Sequence, residues 1–214
     1  MAKDSKGFSD KQLVKEIHKI KVTKPEDTGM VVHNPTDLSV ISHEEKRVVI
    51  GIDKNHCAAY FEKEEKAEKE FKSLQLGAKQ GITPTVYGRK GTYVVMEPID
   101  APTVADYLKE NTITKEFTKK LLKLLNDFKA VGYTRLDQSP EYIYLMPDGS
   151  FKVVNVHRHT KIPGKEFPQR LIKGMGKQAP TFLKYVEELD SDLYKKWTKH
   201  PKFQSTVDKA KLRG

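Results

Sequence analysis

The 214-residue chain has one cysteine, one tryptophan and no long apolar run. Each shortage excludes something. Cys57 alone can build neither a disulfide framework nor a cysteine-based zinc site. It lies in the apolar run "HCAAYF" and reads as a buried structural thiol. No stretch of about 18 apolar residues is present to span a membrane, and the opening "MAKDSKGFSD" lacks the apolar core of a signal peptide. The expectation is a soluble, cytoplasmic protein. There is no internal repeat and no low-complexity segment.

What is present supports a folded core. Hydrophobic residues make up 37% of the chain and charged residues 32%. The 39 Lys and Arg outnumber the 29 Asp and Glu, a formal charge of +10. Such a balance suits nucleic acid, an acidic partner, a phosphorylated ligand or an anionic membrane. The lysines are spread along the chain with no long basic tract, so a solvated basic surface explains the charge equally well. The basic C-terminus "KHPKFQSTVDKAKLRG" has no aromatic-interleaved or helix-turn-helix pattern that would specify nucleic acid.

Periodicity divides the chain. Residues 9–22 read as a helix, with Ser9 and Gln12 as a capping box and Leu13, Ile17 and Ile20 at helical spacing. Strands follow at 38–41, 47–52 and 56–61, separated by "HEEK" and "DKN". A helix at 63–79 carries Ala67, Phe71, Leu74 and Ala78 on one face. Two more strands, 85–88 and 92–96, complete an antiparallel sheet of about five strands with one helix after the third. "EPIDAP" then interrupts the pattern as a hinge-like connector. Beyond it the chain is mostly helical. Thr103 and Asp106 cap a short helix ending near Glu110, and 116–131 forms a longer one with Phe117, Leu121, Leu124 and Phe128 inward. Strands at 142–145 and 151–154 flank the turn "PDG". Helices at 180–189 and 192–199 are among those that finish the chain. The domain division expected is 1–30, a helical extension; 31–97, a small sheet domain; and 98–214, a helical domain.

In that order of elements, several stretches resemble the protein kinase superfamily, most closely the small bacterial serine/threonine protein kinase-like proteins. "AEKEFKSLQLGAKQGITPTVYG" is similar to the helix whose Glu pairs with the strand-three lysine, with Glu70 at that position. "YVVMEPIDAPTVADYL" is similar to strand five, the gatekeeper (Met96), the hinge (Glu97, Ile99) and the next helix. "RLDQSPEYIYL" resembles the catalytic loop, with Asp137 at the position of the base. "FKVVNVH" resembles the metal-binding strand end, with Asn155 at the metal position. The resemblance implies a two-lobed α+β kinase-like fold, with a small antiparallel-sheet N-lobe carrying one helix and a mostly helical C-lobe. It also implies a nucleotide groove and hinge formed by Glu70, Met96, Glu97 and Ile99.

Against the chemistry the resemblance implies, much has changed. Phosphoryl transfer is mostly positioning and charge stabilisation. The segment "ISHEEKRVVIG" has no glycine at the turn that would cover the phosphates, and Glu44 and Glu45 would repel them. Ala59 falls where the phosphate-holding lysine stands, and Lys63 is a distant substitute. Glu70 then reads as an exposed charge on a Lys/Glu-rich helix. Arg135 replaces the loop-supporting His. Tyr142 replaces the Asn that ligates a second Mg²⁺, and a phenol is neutral up to about pH 10. Asn155 brings no negative charge to a hard cation, and Val156 and His157 follow it in place of Phe and Gly. The expectation is a pseudokinase acting as a regulatory or protein-binding module, with a protein partner and no cofactor. The alternatives are a weakly active serine/threonine kinase using ATP, Mg²⁺ and Asp137 as base, and a basic binder of nucleic acid or an acidic partner. The histidines, "HRH" at 157–159 among them, read as solvent-exposed, and Trp197 as packing.

Overall fold

The computed structural model describes residue 15 and residues 17–23, 30–44 and 47–212. It is α+β, and the chain divides into two compact units: Met1–Ala78 with Pro84–Ile99, and Lys79–Thr83 with Asp100–Gly214.

In the first unit, β1 (Lys21–Thr23) pairs antiparallel with β2 (Val31–His33). A five-stranded antiparallel sheet follows, made of β3 (Val40–Glu44), β4 (Arg47–Asp53), β5 (His56–Tyr60), β6 (Val86–Lys90) and β7 (Tyr93–Met96). Its spatial order is β3-β4-β5-β7-β6. The chain enters α1 (Glu64–Ala78) after β5 and returns to the sheet at β6. Because side chains alternate along a strand, Val48, Ile50, Ala58, Tyr93 and Val95 form one face. That face is buried under Ile17, Ile20 and Met30. The Tyr93 hydroxyl donates to the Ile20 carbonyl (3.1 Å) and the Tyr60 hydroxyl to that of Val22 (3.4 Å). Burial pushes the Tyr93 phenol up to about 12.

The helix expected over 9–22 is corrected at its C-terminal end. Residues 17–19 are helical, but Lys21–Thr23 are strand. β1 pairs with β2 across "KPEDTG", a partner that periodicity within 9–22 could not reveal. Residues 9–14 and 16 lie outside the described residues, as do 45–46 with the turn residue Glu45.

The buried face of α1 is also rotated from the one expected. Ala67, Glu70, Ser73, Leu74 and Gly77 are inside, while Phe71 and Ala78 are half-buried. The exposed side carries Glu-to-Lys pairs four residues apart, Glu65–Lys69 and Glu68–Lys72 (2.7 Å), and Glu62 just before the helix pairs with Lys66 (2.8 Å), a spacing that supports a helix.

The second unit holds α2 (Val104–Glu110) and α3 (Lys115–Ala130). Their N-termini are capped by Thr103, which accepts from the Asp106 amide (3.0 Å), and Thr114, which accepts from that of Phe117 (3.1 Å). Phe117, Leu121, Leu124 and Phe128 of α3 are buried as the spacing predicts. β8 (Ile143–Leu145) and β9 (Phe151–Val153) form a hairpin. Its turn places Gly149 at φ +77°, where a side chain would be strained. Four helices follow among the described residues: α4 (Gln169–Gly174), α5 (Ala179–Leu189), α6 (Ser191–Thr198) and α7 (Phe203–Lys211). Trp197 is buried, its ring stacked on Phe182 of α5, and Cys57 is buried in β5 of the first unit.

Candidate functional site

The segment from Tyr133 to Tyr142 is held on two sides. On one side its backbone is tied to the chain after β9. The amides of Thr134 and Arg135 donate to the His159 carbonyl (2.8 and 3.1 Å), and that of Leu136 donates to Lys165 (2.7 Å). The Lys165 amide returns a bond to the Thr134 carbonyl (2.9 Å). Gly164 permits this approach, since a Cβ there would lie 2.6 Å from the Thr134 carbonyl oxygen. On the other side Pro140 opens a 3₁₀ turn, Pro140–Tyr142, and packs on Gly174 of α4, where a Cβ would meet the proline ring at 2.6 Å.

Asp137 sits at the centre of this frame, 2% exposed. Its Oδ2 accepts from the Lys165 ammonium and, at 3.4 Å, from Nε of Arg170. Its Oδ1 accepts from the Arg170 backbone amide, and the Arg170 guanidinium also donates to the Asp137 carbonyl (2.7 Å). A buried carboxylate requires compensation of this kind. Both oxygens are therefore engaged by the segment that leads into α4.

Gln138, also buried, joins the loop to the end of β9. Its Nε2 donates to the Val154 carbonyl (2.9 Å) and its Oε1 accepts from the Ser139 amide (3.0 Å). The Val154 amide in turn donates to the Tyr142 carbonyl (3.1 Å). Gln138 and Tyr142 are thus both tied to Val154, the residue before Asn155. Asn155 is half-buried at φ +60°, a left-handed conformation that Asn adopts more readily than most residues.

His159 corrects the expectation that the histidines are exposed: it is 2% exposed, packed against Phe128 and Tyr133. Burial pulls its imidazole down to about 4, outweighing its hydrogen bond to the Arg135 backbone. Its Nδ1 has no hydrogen-bond partner. His157 is half-buried and Val156 fully buried.

The remaining candidates belong to the first unit. Glu70 is 2% exposed, which overturns its reading as a surface charge. It lies one turn from Ala67 and Leu74 on the inner face of α1, and the flanking Glu–Lys pairs occupy the outer one. Ala59 is buried in β5 between Val49 and Val94, and Lys63 is exposed at the start of α1. Met96 ends β7 and is buried. Glu97 clamps the start of β6, accepting from the Thr85 amide at 3.1 Å while its own amide donates to the Thr85 carbonyl (2.9 Å). Ile99 is half-buried.

The donor set does not fit a Mg²⁺-nucleotide, which is held by carboxylates and phosphate oxygens. Tyr142 and Asn155 offer a phenol and an amide, and the oxygens of Asp137 are already engaged, Oδ2 by Lys165 and the Arg170 side chain and Oδ1 by the Arg170 backbone amide. Among the described residues no group of three or more His, Cys, Asp or Glu is arranged to hold a metal ion. Gln138, His159, Lys165 and Arg170 carry no motif of their own. Lys165 and Arg170 lie 28 and 33 residues from Asp137, so only the fold reveals that they meet it.

No protein-family model matches the chain, and no curated protein matches it. Solved structures do. A crystal structure of monomeric WbdD superimposes with a TM-score of 0.52 at 14% identity, over 91% of this chain and 56% of that one. A co-crystal structure of WbdD with the kinase inhibitor LY294002 gives 0.49 at 14%, over 86% and 47%. A 2.2 Å crystal structure of WbdD gives 0.47 at 13%, over 86% and 47%. The chain spans about half the length of the WbdD structures it matches. At such identity the first match establishes similarity of fold alone.

Proposed function

We propose that the chain is a protein kinase-like pseudokinase, a regulatory or protein-binding module in which Asp137 holds the former catalytic loop together. In this reading residues 31–97 and 98–214 correspond to the two kinase lobes, and 1–30 is an extension. The observation that carries it is the engagement of both Asp137 oxygens by Lys165 and Arg170. A general base needs a lone pair within reach of the hydroxyl it deprotonates, and here those positions are filled from within. The fold shared with monomeric WbdD and the order of the motifs support the family. The altered residues at 59, 135, 142 and 155 support loss of phosphotransfer.

Thermal melting with ATP and Mg²⁺ tests the reading. No shift is expected. A shift that disappears in both Asp137→Ala and Asn155→Ala would establish nucleotide binding at this site and sink the reading in favour of a weakly active kinase.

A further inference from the structure

The excess positive charge is not spread over the molecule. Residues 158–177 contain six Lys and Arg and one acidic residue, Glu166. Residues 195–211 contain six Lys and one acidic residue, Asp208. Together they account for the entire formal charge of +10, and the rest of the chain balances to zero. The two stretches are neighbours in space. Phe167 stacks on His200 with centroids 4.4 Å apart and meets Phe203 at 6.2 Å. Glu166 pairs with Lys196, and α4 packs on α7.

Some of these cations are neutralised. Lys165 and Arg170 face Asp137, and Lys195 and Lys196 face Asp192 and Glu166. Arg158, Lys161, Lys199, Lys202, Lys209 and Lys211 are exposed, and none forms an ion pair with a described residue.

A second observation selects among anionic partners. The large apolar side chains exposed in the described part of the second unit are Ile162 (81%) and Leu212 (86%). Ile162 lies next to Lys161 within the first basic stretch, and Leu212 next to Lys211 at the end of the second. One exposed apolar residue is ordinary. Here both stand among the unpaired lysines, the combination that suits an anionic lipid surface: cations at the headgroups and aliphatic side chains below them. Single-stranded nucleic acid would instead call for aromatic rings free to stack on bases. Trp197 and Phe167 are buried, and His200 and Phe203 are packed on Phe167.

We propose that the face built from residues 158–177 and 195–212 docks on an anionic membrane surface. This is peripheral contact: no described helix is long and apolar enough to cross a membrane. It is independent of whether the chain binds nucleotide.

Co-sedimentation of the full chain with phosphatidylcholine vesicles, with and without phosphatidylglycerol, tests the proposal. Binding is expected only to the phosphatidylglycerol vesicles, weakening as salt is raised. The combined variant Lys199→Glu, Lys202→Glu, Lys209→Glu and Lys211→Glu should weaken it by about tenfold or more. Ile162→Ser changes one exposed side chain and leaves the charge intact. It should lower vesicle binding several-fold without altering retention on duplex DNA, and its melting temperature confirms folding. Equal binding to both vesicle types, no binding to either, or vesicle binding unchanged by Ile162→Ser would overturn the proposal. So would tighter binding to duplex DNA than to phosphatidylglycerol vesicles.

Discussion

The Lys165 ammonium donates to Oδ2 of Asp137, across 28 residues of chain. Lys165 is 28% exposed and Asp137 2%, so the lysine keeps contact with water while the carboxylate has only protein around it. The pair is asymmetric, and loss of the aspartate is the more informative change.

Asp137→Asn should therefore destabilise the fold. It retains the shape but removes charge-assisted bonds to Lys165 and Arg170, a loss of about 1–3 kcal/mol. Urea denaturation reads this as a lower midpoint with an unchanged slope. An unchanged midpoint would mean that Asp137 does not anchor the loop.

Gln138→Leu removes two bonds inside the same frame. The Val154 carbonyl and Ser139 amide then lose their partner while remaining near a buried side chain. The expected cost is about 1–3 kcal/mol for each group left unsatisfied. Hydrogen exchange should quicken at Ser139, whose amide loses its acceptor, and at neighbouring loop amides, while the α1 amides in the first unit keep their protection. Uniform quickening throughout would show that the amide does not act locally.

Gly164→Ala places a methyl group against a backbone carbonyl that has no rotamer by which to withdraw. Overpacking of this kind costs roughly 1–3 kcal/mol. Gly81→Ala is the contrasting case, because nothing lies within 4 Å of its Cβ position and the cost there comes from φ +69° alone. Chemical denaturation of both variants separates steric overlap from backbone strain. Full stability of Gly164→Ala would remove the close approach as the reason for glycine.

His159 should make stability depend on pH in mild acid. Its folded value of about 4 lies below the ordinary 6.5. Between these values the unfolded chain binds the proton and the folded chain does not, so stability is full above about pH 6.5 and falls as pH drops towards 4. At about 1.36 kcal/mol per unit, the loss is on the order of 3 kcal/mol. His159→Phe should flatten the melting temperature across this window. A wild-type profile that is flat from pH 6.5 to 4 would contradict the burial of a neutral imidazole.

Much of the architecture is legible before folding is considered. Phe117, Leu121, Leu124 and Phe128 announce the inner face of α3 because a helix buries one stripe. The strands of the five-stranded sheet are bounded by turn residues, and Gly149 occupies the left-handed position that "PDG" foretells. The loop around Pro140 and Glu141 is equally visible, and with it the positions of Asp137, Tyr142 and Asn155. The buried face of α1 is not legible in the sequence, because Phe71 is more apolar than Glu70. Hydrophobicity alone puts the phenylalanine inside, whereas packing buries the carboxylate.

Local pattern by itself determined where the strands of the five-stranded sheet, α1 to α3 and the loop occur, because periods of two and of about 3.6 residues act over short range. It also determined which chemical groups stand at positions 137, 142 and 155. Tertiary structure alone decided that Lys21–Thr23 would be a strand, since strand pairing needs a partner from elsewhere in the chain. It decided the partners of Asp137, since Lys165 and Arg170 reach it only after the chain has passed through the hairpin and turned into α4. It likewise decided that residues 158–177 and 195–211, which together carry the charge excess, would be neighbours, because α4 packs on α7.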